Sequence, residues 1–289
     1  MHPEQRDVTL ELARRLIDDQ FPQWRGLPLE RIESSGTVHT IIRIGDGIAA
    51  RFPLEGSDHD TVRRQLVTEV NAVRELIRCS TVPSPEPLAI GDPGPGYPLP
   101  WAVYSWLPGA TATPWDQAES LLFARDLAAF IAGLRAADIG GRRFTGAGRG
   151  GDLRDHDDWI ALCLVRSEGL LDVRPLRTLW RRLRDLPPAG RDVMSHGDLI
   201  PANLLVRDGR LVGVLDGGGF APADPSLDLV AAWHLLDDGP RTELRRALGC
   251  GEIEWERGRA HVPTFKHNSF TRQHALTGNP FDYSAVVDA

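Results

Sequence analysis

One short stretch of this 289-residue chain limits the folds open to it more than any other. Asp198 is followed five residues later by Asn203, and a second aspartate, Asp216, comes after two apolar runs. The runs, 203–206 and 211–215, flank an Asp-Gly pair, which favours a tight turn between strands. The pattern predicts a β-hairpin that brings Asn203 and Asp216 together.

These polar residues are the types that kinase chemistry requires. In phosphoryl transfer, one carboxylate accepts the proton of the acceptor hydroxyl, while an amide and a second carboxylate hold Mg²⁺. Magnesium prefers oxygen ligands and keeps several waters, so one carboxylate and one amide oxygen beside the phosphates suffice. Asp198, Asn203 and Asp216 can fill these roles.

A simpler interpretation exists for each residue taken singly. Asp198 could cap a turn, Asn203 could bond nearby backbone, and Asp216 could end a strand. Their joint occurrence in this order favours a phosphotransferase site. His196 suits a structural histidine bonded to backbone better than it suits a general base.

The motif resembles that of the aminoglycoside phosphotransferase family, small-molecule kinases that share the protein kinase fold. The resemblance extends to about Arg259 and implies an α/β (α+β) fold with two lobes. A small antiparallel-sheet lobe, residues 1–107, would bind the nucleotide. A larger, mainly helical lobe, residues 108–289, would carry the catalytic loop, the metal site and the acceptor pocket. The matching residues are His196-Gly197-Asp198, Pro201, Asn203, Asp216 and Asp224-Pro225-Ser226-Leu227-Asp228-Leu229.

The resemblance also implies a role for each matching polar residue. Asp198 would be the catalytic base, with Asn203 and Asp216 as the magnesium ligands. Asp224 and Asp228 would brace the loop.

The chain departs from the family at one position beside the predicted metal site. The family usually has Phe or Trp after the metal-binding aspartate, and Gly217 stands there in this chain. The run Gly217-Gly218-Gly219 lacks that packing anchor and is conformationally permissive.

Upstream, three short strands at 29–32, 39–44 and 48–52 are predicted as a meander. The polar loop between the first two contains Ser35 and Gly36, whose backbone N–H groups could lie over phosphates, although an ordinary hairpin loop is equally consistent. The one lysine of the chain, Lys266, lies near the C-terminus, so Arg51 is the cation available on the third strand.

The resemblance completes the nucleotide site with three further assignments. Arg51 would contact the α- and β-phosphates of ATP or GTP, and Glu69 on the following helix would be its ion-pair partner. A solvated helix face is the alternative for Glu69. The apolar run 97–109 is predicted as a strand, and by resemblance its residues from Ser105 to Leu107 would meet the purine. A plain edge strand is the alternative.

In the second lobe, a helix over 115–137 is predicted from apolar residues at helical spacing. The glycine- and arginine-rich stretch 140–151 is interpreted as a surface loop. Acidic clusters at 152–158 and 237–238 could attract a polycation or could be ordinary solvated surface. From about His261 onward, Pro and polar residues interrupt any helical period, which indicates a divergent or frame-altered end. The predicted core positions are Leu121, Leu122, Ala124, Leu127, Ala128, Ile131 and Leu134.

Composition bounds the partners. A net charge of −7 and a pI near 5.7 argue against nucleic-acid or anionic-membrane binding and suit a cationic acceptor. No apolar run approaches the roughly 20 residues that cross a bilayer, and the N-terminus lacks the apolar core of a signal peptide, so a cytoplasmic protein is expected. The sequence leaves the oligomeric state open.

The expected activity is transfer of the γ-phosphoryl group of ATP or GTP to a hydroxyl of a small molecule, with an aminoglycoside as first choice. Two alternatives stay open. One is a kinase of another acceptor, such as a macrolide, a peptide antibiotic, a sugar or an amino alcohol. The other is a catalytically impaired nucleotide-binding protein, suggested by Gly217 and the unusual tail.

Overall fold

The computed structural model describes residues 8–32, 39–55, 58–146, 149–169 and 172–262. The chain divides into two compact units, each assembled from separate segments. The first contains Met1–Arg78, Pro83–Gly109 and Gly213–Gly219, and the second contains Cys79–Val82, Ala110–Val212 and Phe220–Ala289. The segment Gly213–Gly219, which includes Asp216, therefore belongs with the sheet of the first unit. The lobe boundary at residues 107 and 108 stays a prediction.

The first unit is built on a five-stranded antiparallel sheet in the order β1-β2-β3-β5-β4. Two helices accompany it, α1 (Leu10–Gln20) and α2 (His59–Cys79). The strands are β1 (Leu29–Ile32), β2 (His39–Ile44), β3 (Ile48–Pro53), β4 (Pro87–Gly91) and β5 (Trp101–Ser105).

The strands of the meander form where the sequence predicts them, and burial alternates along β2, with Thr40, Ile42 and Ile44 on the buried face. Under the sheet, the rings of Phe52 and Trp101 stack at 4.6 Å, and the Tyr97 hydroxyl donates to the Pro53 carbonyl at 2.7 Å. The predicted strand 97–109 is shorter in the structure. Pro98 and Pro100 lack the N–H that a ladder requires, so the strand begins only at Trp101.

The second unit is mainly helical and carries the remaining strands, except that the last two residues of β9 belong to the first unit. A short sheet pairs β7 with β10, and a second joins β6, β8 and β9. The strands are β6 (Ala110–Thr111), β7 (Val193–Ser195), β8 (Leu204–Arg207), β9 (Arg210–Val214) and β10 (Ala221–Ala223). The helices are α3 (Pro114–Gln117), α4 (Leu121–Arg135), α5 (Asp157–Ser167), α6 (Arg174–Leu183), α7 (Val230–Leu235), α8 (Asp238–Leu248) and α9 (Glu252–His261).

The helix predicted over 115–137 is two helices, α3 and α4. Ser120 separates them, since its side chain accepts a hydrogen bond from the Phe123 amide at 3.1 Å and caps α4. The prediction that Leu121 and Leu122 are core residues is wrong. They lie in the first turn of α4, where their exposed fractions are 47% and 55%, while the later apolar positions of the helix are buried.

The predicted hairpin is present as β8 and β9, with Asp208 at the turn in a left-handed conformation (φ 52°). No helix in the described ranges is long and apolar enough to span a membrane. The predicted irregular tail lies outside the described residues apart from His261 and Val262, where α9 ends.

Candidate active site

Asp198 and Asn203, two predicted site residues, are in direct contact in the second unit. The Asn203 amide nitrogen donates to the Asp198 carboxylate at 3.0 Å and to the Asp198 carbonyl at 2.8 Å. A single helical turn at Pro201–Asn203 makes this possible, because it folds the chain back within five residues. With its nitrogen turned to Asp198, the amide of Asn203 has its oxygen as the remaining acceptor.

Asp228 holds the backbone that leads into Asp198. Its two carboxylate oxygens accept from the amides of His196 at 2.9 Å and Gly197 at 3.1 Å. Gly197 has a positive φ of 80°, which favours glycine at this turn. The ring of His196 is buried, and its Nδ1 accepts from the Asp198 amide at 3.3 Å. His196 is therefore the structural histidine that the sequence indicates.

Asp224 anchors the same region from below. It accepts from the amides of Ala189 at 3.0 Å and Ser226 at 2.9 Å, and it pairs with Arg257 at 3.1 Å. Both charged side chains are almost fully buried, and Arg257 also donates to the Leu186 carbonyl at 2.8 Å. Removing one partner of such a buried pair is costly, because the other charge is then left buried and unpaired. Arg257 was not anticipated, since no local pattern pairs it with a residue so distant in sequence.

Arg149 is the second residue that sequence reasoning missed. Its Nη1 donates to Asp198 Oδ1 at 2.5 Å, from the stretch interpreted as a surface loop. Glycine and arginine richness indicates only a loop. The partner of Arg149 is set by where the loop packs.

Arg51 and Asp216 meet in the first unit. Arg51 lies on β3 between β2 and β5, opposite Ile41 and Ala102, and its Nη2 donates to Asp216 Oδ1 at 2.9 Å. Burial opposes the charge of Arg51, but attraction to Asp216 and the hydrogen bond outweigh it, so the pKa of Arg51 is raised. Asp216 has a φ of 59°, a left-handed conformation uncommon for a non-glycine residue.

Glu69 of α2 interacts with the same two residues by charge. Burial raises the pKa of Glu69, and the nearby Arg51 offsets part of that rise, while Asp216 adds to it. The hydrogen bond of Arg51 goes to Asp216, and the predicted Arg51–Glu69 ion pair stays a prediction. The Cζ atom of Arg51 lies over the ring of Tyr104, 5.8 Å from the centre of that ring. Burial raises the pKa of Tyr104 to about 12.

His39, at the start of β2, is also influenced by the charges of Arg51 and Asp216. The sequence analysis did not single it out. Burial, and then the positive charge of Arg51, lower the pKa of His39 to about 4, and Asp216 opposes this only in part. The imidazole is therefore neutral at physiological pH, next to the predicted phosphate-binding arginine.

The space beside Gly217 is filled by side chains of the neighbouring helix α2. A Cβ placed on Gly217 would overlap the Cδ2 atom of Leu76 and lie 3.8 Å from Val73. Leu76 is fully buried in α2, so it occupies the space that a larger residue at 217 would need. The neighbouring Gly218 is closely packed but less tight, since a Cβ there would lie 3.0 Å from the Cγ and 3.1 Å from the Cβ of Glu69. The glycines after Asp216 are thus closely packed against α2.

The remaining predicted site residues lie at the end of β5 or outside the described ranges. The Ser105 amide donates to the Glu86 carbonyl at 2.9 Å, and the Ser105 hydroxyl accepts from the Glu86 amide at 2.8 Å. The Trp106 amide donates to Gly47 at 2.8 Å, and Leu107 follows, half-buried. Ser35 and Gly36 lie outside the described residues.

Among the described residues, no group of three or more His, Cys, Asp or Glu could hold a metal ion. The donor set predicted for Mg²⁺ does not need such a group, because the prediction names one amide, that of Asn203, and one carboxylate, that of Asp216. Amide and carboxylate oxygens are hard donors of the kind that magnesium prefers.

In the first unit, an antiparallel sheet carries an arginine against a left-handed aspartate. The second unit is helical and carries a braced Asp-Asn loop. These features define the class of kinase-like phosphotransferases. The model of the phosphotransferase enzyme family matches residues 40–261, and the chain belongs to that family. The family prediction is confirmed. The predicted kinase-like α+β fold, with a small antiparallel-sheet lobe and a larger, mainly helical lobe, is confirmed as well.

Solved structures agree on the fold. The GDP and kanamycin complex of APH(2")-IIia has a TM-score of 0.63 and 22% identity, with 88% of each chain covered. Macrolide 2'-phosphotransferase from Brachybacterium faecium has a TM-score of 0.55 and 22% identity, covering 83% of this chain and 84% of that one. Aminoglycoside 3'-phosphotransferase from Escherichia coli is 34% identical over 65 residues, or 22% of this chain. That match spans only 24% of the length of the relative.

Proposed function

We propose that this protein transfers the γ-phosphoryl group of ATP or GTP to a hydroxyl of a small molecule, with an aminoglycoside as the first choice of acceptor. One observation carries the proposal. Asp198 is held by the amide of Asn203, on a loop that Asp228 fixes through two backbone hydrogen bonds. A carboxylate in such a setting is a positioned general base.

The proposed reaction needs little covalent chemistry from the protein. The acceptor hydroxyl gives its proton to the Asp198 carboxylate as its oxygen bonds to the γ-phosphorus, and the bond from phosphorus to the nucleoside diphosphate breaks. Asn203 and Asp216 would hold Mg²⁺, which, when bound, neutralises phosphate charge. Positioning and charge neutralisation then supply most of the rate.

The nucleotide would be held by the first unit. Arg51 would contact the α- and β-phosphates, because the planar guanidinium matches the geometry of carboxylate and phosphate oxygens alike. Its Nη2 already donates to the carboxylate of Asp216. Glu69 would balance its charge. The backbone from Ser105 to Leu107 would meet the purine, and Ser35 and Gly36 would cover the phosphates.

A cationic acceptor is supported by the net charge of −7 and by exposed carboxylates in the second unit. Two members of the acidic cluster at 152–158 have structural partners: Asp152 caps a turn, and Asp157 accepts from Trp180 at 2.9 Å. Asp155 and Asp158 are exposed. The kanamycin in the similar structure supports an aminoglycoside.

A second candidate function is phosphorylation of a macrolide. It is favoured by the likeness to macrolide 2'-phosphotransferase, whose coverage of this chain is nearly as broad. A catalytically silent nucleotide-binding protein is a weaker alternative. It was suggested by the missing aromatic residue at Gly217, and Leu76 fills the space beside that glycine.

The test is release of ADP or GDP in the presence of magnesium, across panels of aminoglycosides and macrolides. We expect acceptor-dependent release that falls about 100-fold or more in Asp198→Asn, the loss typical of a missing general base. Nucleotide-dependent thermal stabilisation should persist in this variant. Asp185→Asn is the matched control, because Asp185 is an exposed carboxylate paired with Arg154.

The outcomes separate the candidates. Release with macrolides alone would replace the aminoglycoside with the second acceptor class. Stabilisation by Mg-nucleotide without release to any acceptor would indicate the silent protein. Equal activity in Asp198→Asn and Asp185→Asn would remove Asp198 from the mechanism.

A further inference from the structure

Arg149 reaches Asp198 from a segment whose backbone is fixed by close packing. The Gly150 carbonyl accepts from the Asp224 amide at 3.1 Å, and Gly150 has a φ of 100°. A Cβ on Gly150 would lie 2.9 Å from the Cβ of Ala223, closer than real Cβ contacts allow. The Gly151 carbonyl accepts from Arg257 at 3.1 Å. The stretch that carries Arg149 is therefore anchored to the same buried pair, Asp224 and Arg257, that supports the region beside the catalytic loop.

The Asp198 carboxylate is held on both oxygens by different donors. Arg149 Nη1 binds Oδ1 at 2.5 Å, and the Asn203 amide binds Oδ2 at 3.0 Å. The terminal torsion of an aspartate is broad and poorly fixed when the side chain is left alone. Two donors on opposite oxygens remove that freedom, and the guanidinium makes the stronger, charge-assisted bond.

We propose that Arg149 is a positioning residue for Asp198, an inference that rests on the proposed function. It holds the carboxylate in one orientation before the acceptor arrives. A carboxylate oxygen has two lone-pair sites, so Oδ1 accepts from Arg149 and from the acceptor hydroxyl at the same time. Both side chains remain partly exposed, 32% for Arg149 and 23% for Asp198, which leaves the carboxylate reachable.

The charge of Arg149 also bears on the acceptor. A fixed cation beside the base repels an ammonium group close to the reacting hydroxyl. Removing the charge should therefore weaken catalysis while it leaves binding of a cationic acceptor unchanged or tighter. Loss of a purely structural residue would disturb the acceptor pocket and raise KM, so a fall in kcat without a rise in KM distinguishes the two roles.

The experiment compares Arg149→Met, which keeps length and loses charge, with Arg149→Lys, which keeps charge and loses the planar fork. We expect at least a tenfold loss of kcat in Arg149→Met, with the KM for an aminoglycoside unchanged or lower, and partial recovery in Arg149→Lys. The matched control is Arg154→Met, since Arg154 is an exposed arginine shortly after Arg149 in the chain and pairs with Asp185. The control should behave as the unmodified protein does.

Chemical rescue adds a direct readout. Millimolar methylguanidinium should raise kcat of Arg149→Ala at least threefold and leave Arg154→Ala unchanged. Equal kcat in Arg149→Met and Arg154→Met would overturn the inference. A raised KM with unchanged kcat would do so too, because Arg149 would then bind the acceptor itself.

The inference and the proposed function fail in different ways. If the unmodified protein releases no ADP or GDP with any acceptor, the proposed function fails, and the pair is tested by thermal unfolding instead. A double-mutant cycle of Arg149→Met and Asp198→Asn should give a combined Tm shift clearly different from the sum of the single shifts. Additive shifts would show that the two side chains do not act together.

Discussion

At the scale of single residues, the backbone around Asp216 stands out. Its left-handed φ of 59° costs a non-glycine residue about 1–3 kcal/mol, so surrounding contacts must hold it. The hydrogen bond from Arg51 is one such contact, and the close packing of Gly217 on Leu76 is another. A glycine where the family usually has an aromatic residue is thus matched by a leucine on α2.

This packing predicts the effect of a single methyl group. Gly217→Ala should lower the free energy of unfolding by about 1–3 kcal/mol, because the new Cβ overlaps Leu76 in a filled core. Urea denaturation measures the change. Gly47→Ala is the matched control, since nothing lies within 4 Å of a Cβ at that position.

A second variant shows whether overlap is the cause. Leu76→Ala removes the side chain that Gly217→Ala would strike, so the double variant should lose less stability than the sum of the two single losses. Strict additivity would mean that Gly217 is required for another reason.

At the scale of an element, the loop from Ser195 to Asp198 depends on Asp228. An asparagine there keeps one acceptor oxygen and turns an NH₂ group toward a backbone N–H. Asp228→Asn should therefore cost about 1–3 kcal/mol of stability, the usual result of a buried donor left unpaired. It should also lower kcat, because the loop that carries Asp198 is loosened.

Urea denaturation and steady-state turnover measure the two effects of Asp228→Asn. Asp172→Asn is its control, since Asp172 is an exposed carboxylate bound to Arg174, and no measurable change is expected there. An Asp228→Asn protein with full stability and full kcat would refute the bracing role.

At the scale of the whole molecule, buried histidines make stability depend on pH. Burial lowers the pKa of His234 to about 3, and burial with the charge of Arg51 lowers the pKa of His39 to about 4. An unfolded histidine has a pKa near 6.5, so below that pH the unfolded chain binds more protons than the folded one. The free energy of unfolding should therefore fall as the pH drops from about 6.5 toward 4.

For His234, which is fully buried, the size of this change in the free energy of unfolding can be given. Its linkage should cost about 2 kcal/mol at pH 5 relative to pH 8. Urea denaturation at several pH values between 8 and 5 measures the slope, and His234→Leu should flatten it. His59→Leu, at an exposed histidine, should leave the slope as it is. An unchanged slope in His234→Leu would contradict the prediction.

The sequence by itself determined the elements whose patterns are local. The strands β1 to β3 follow from short apolar runs bounded by polar and glycine-containing turns, and the hairpin β8–β9 follows from its Asp-Gly turn. Local patterns failed at Leu121 and Leu122, because helical spacing does not say which first-turn residues face solvent.

Only the tertiary structure decided which distant residues meet. The bond of Arg149 to Asp198, the bond of Arg51 to Asp216 and the filling of the space beside Gly217 by Leu76 each join parts of the chain far apart in sequence. No periodicity or turn residue encodes such a pair. The partner of a long arginine side chain, or the space left for a glycine, is set by how whole elements pack, and packing is a property of the folded molecule.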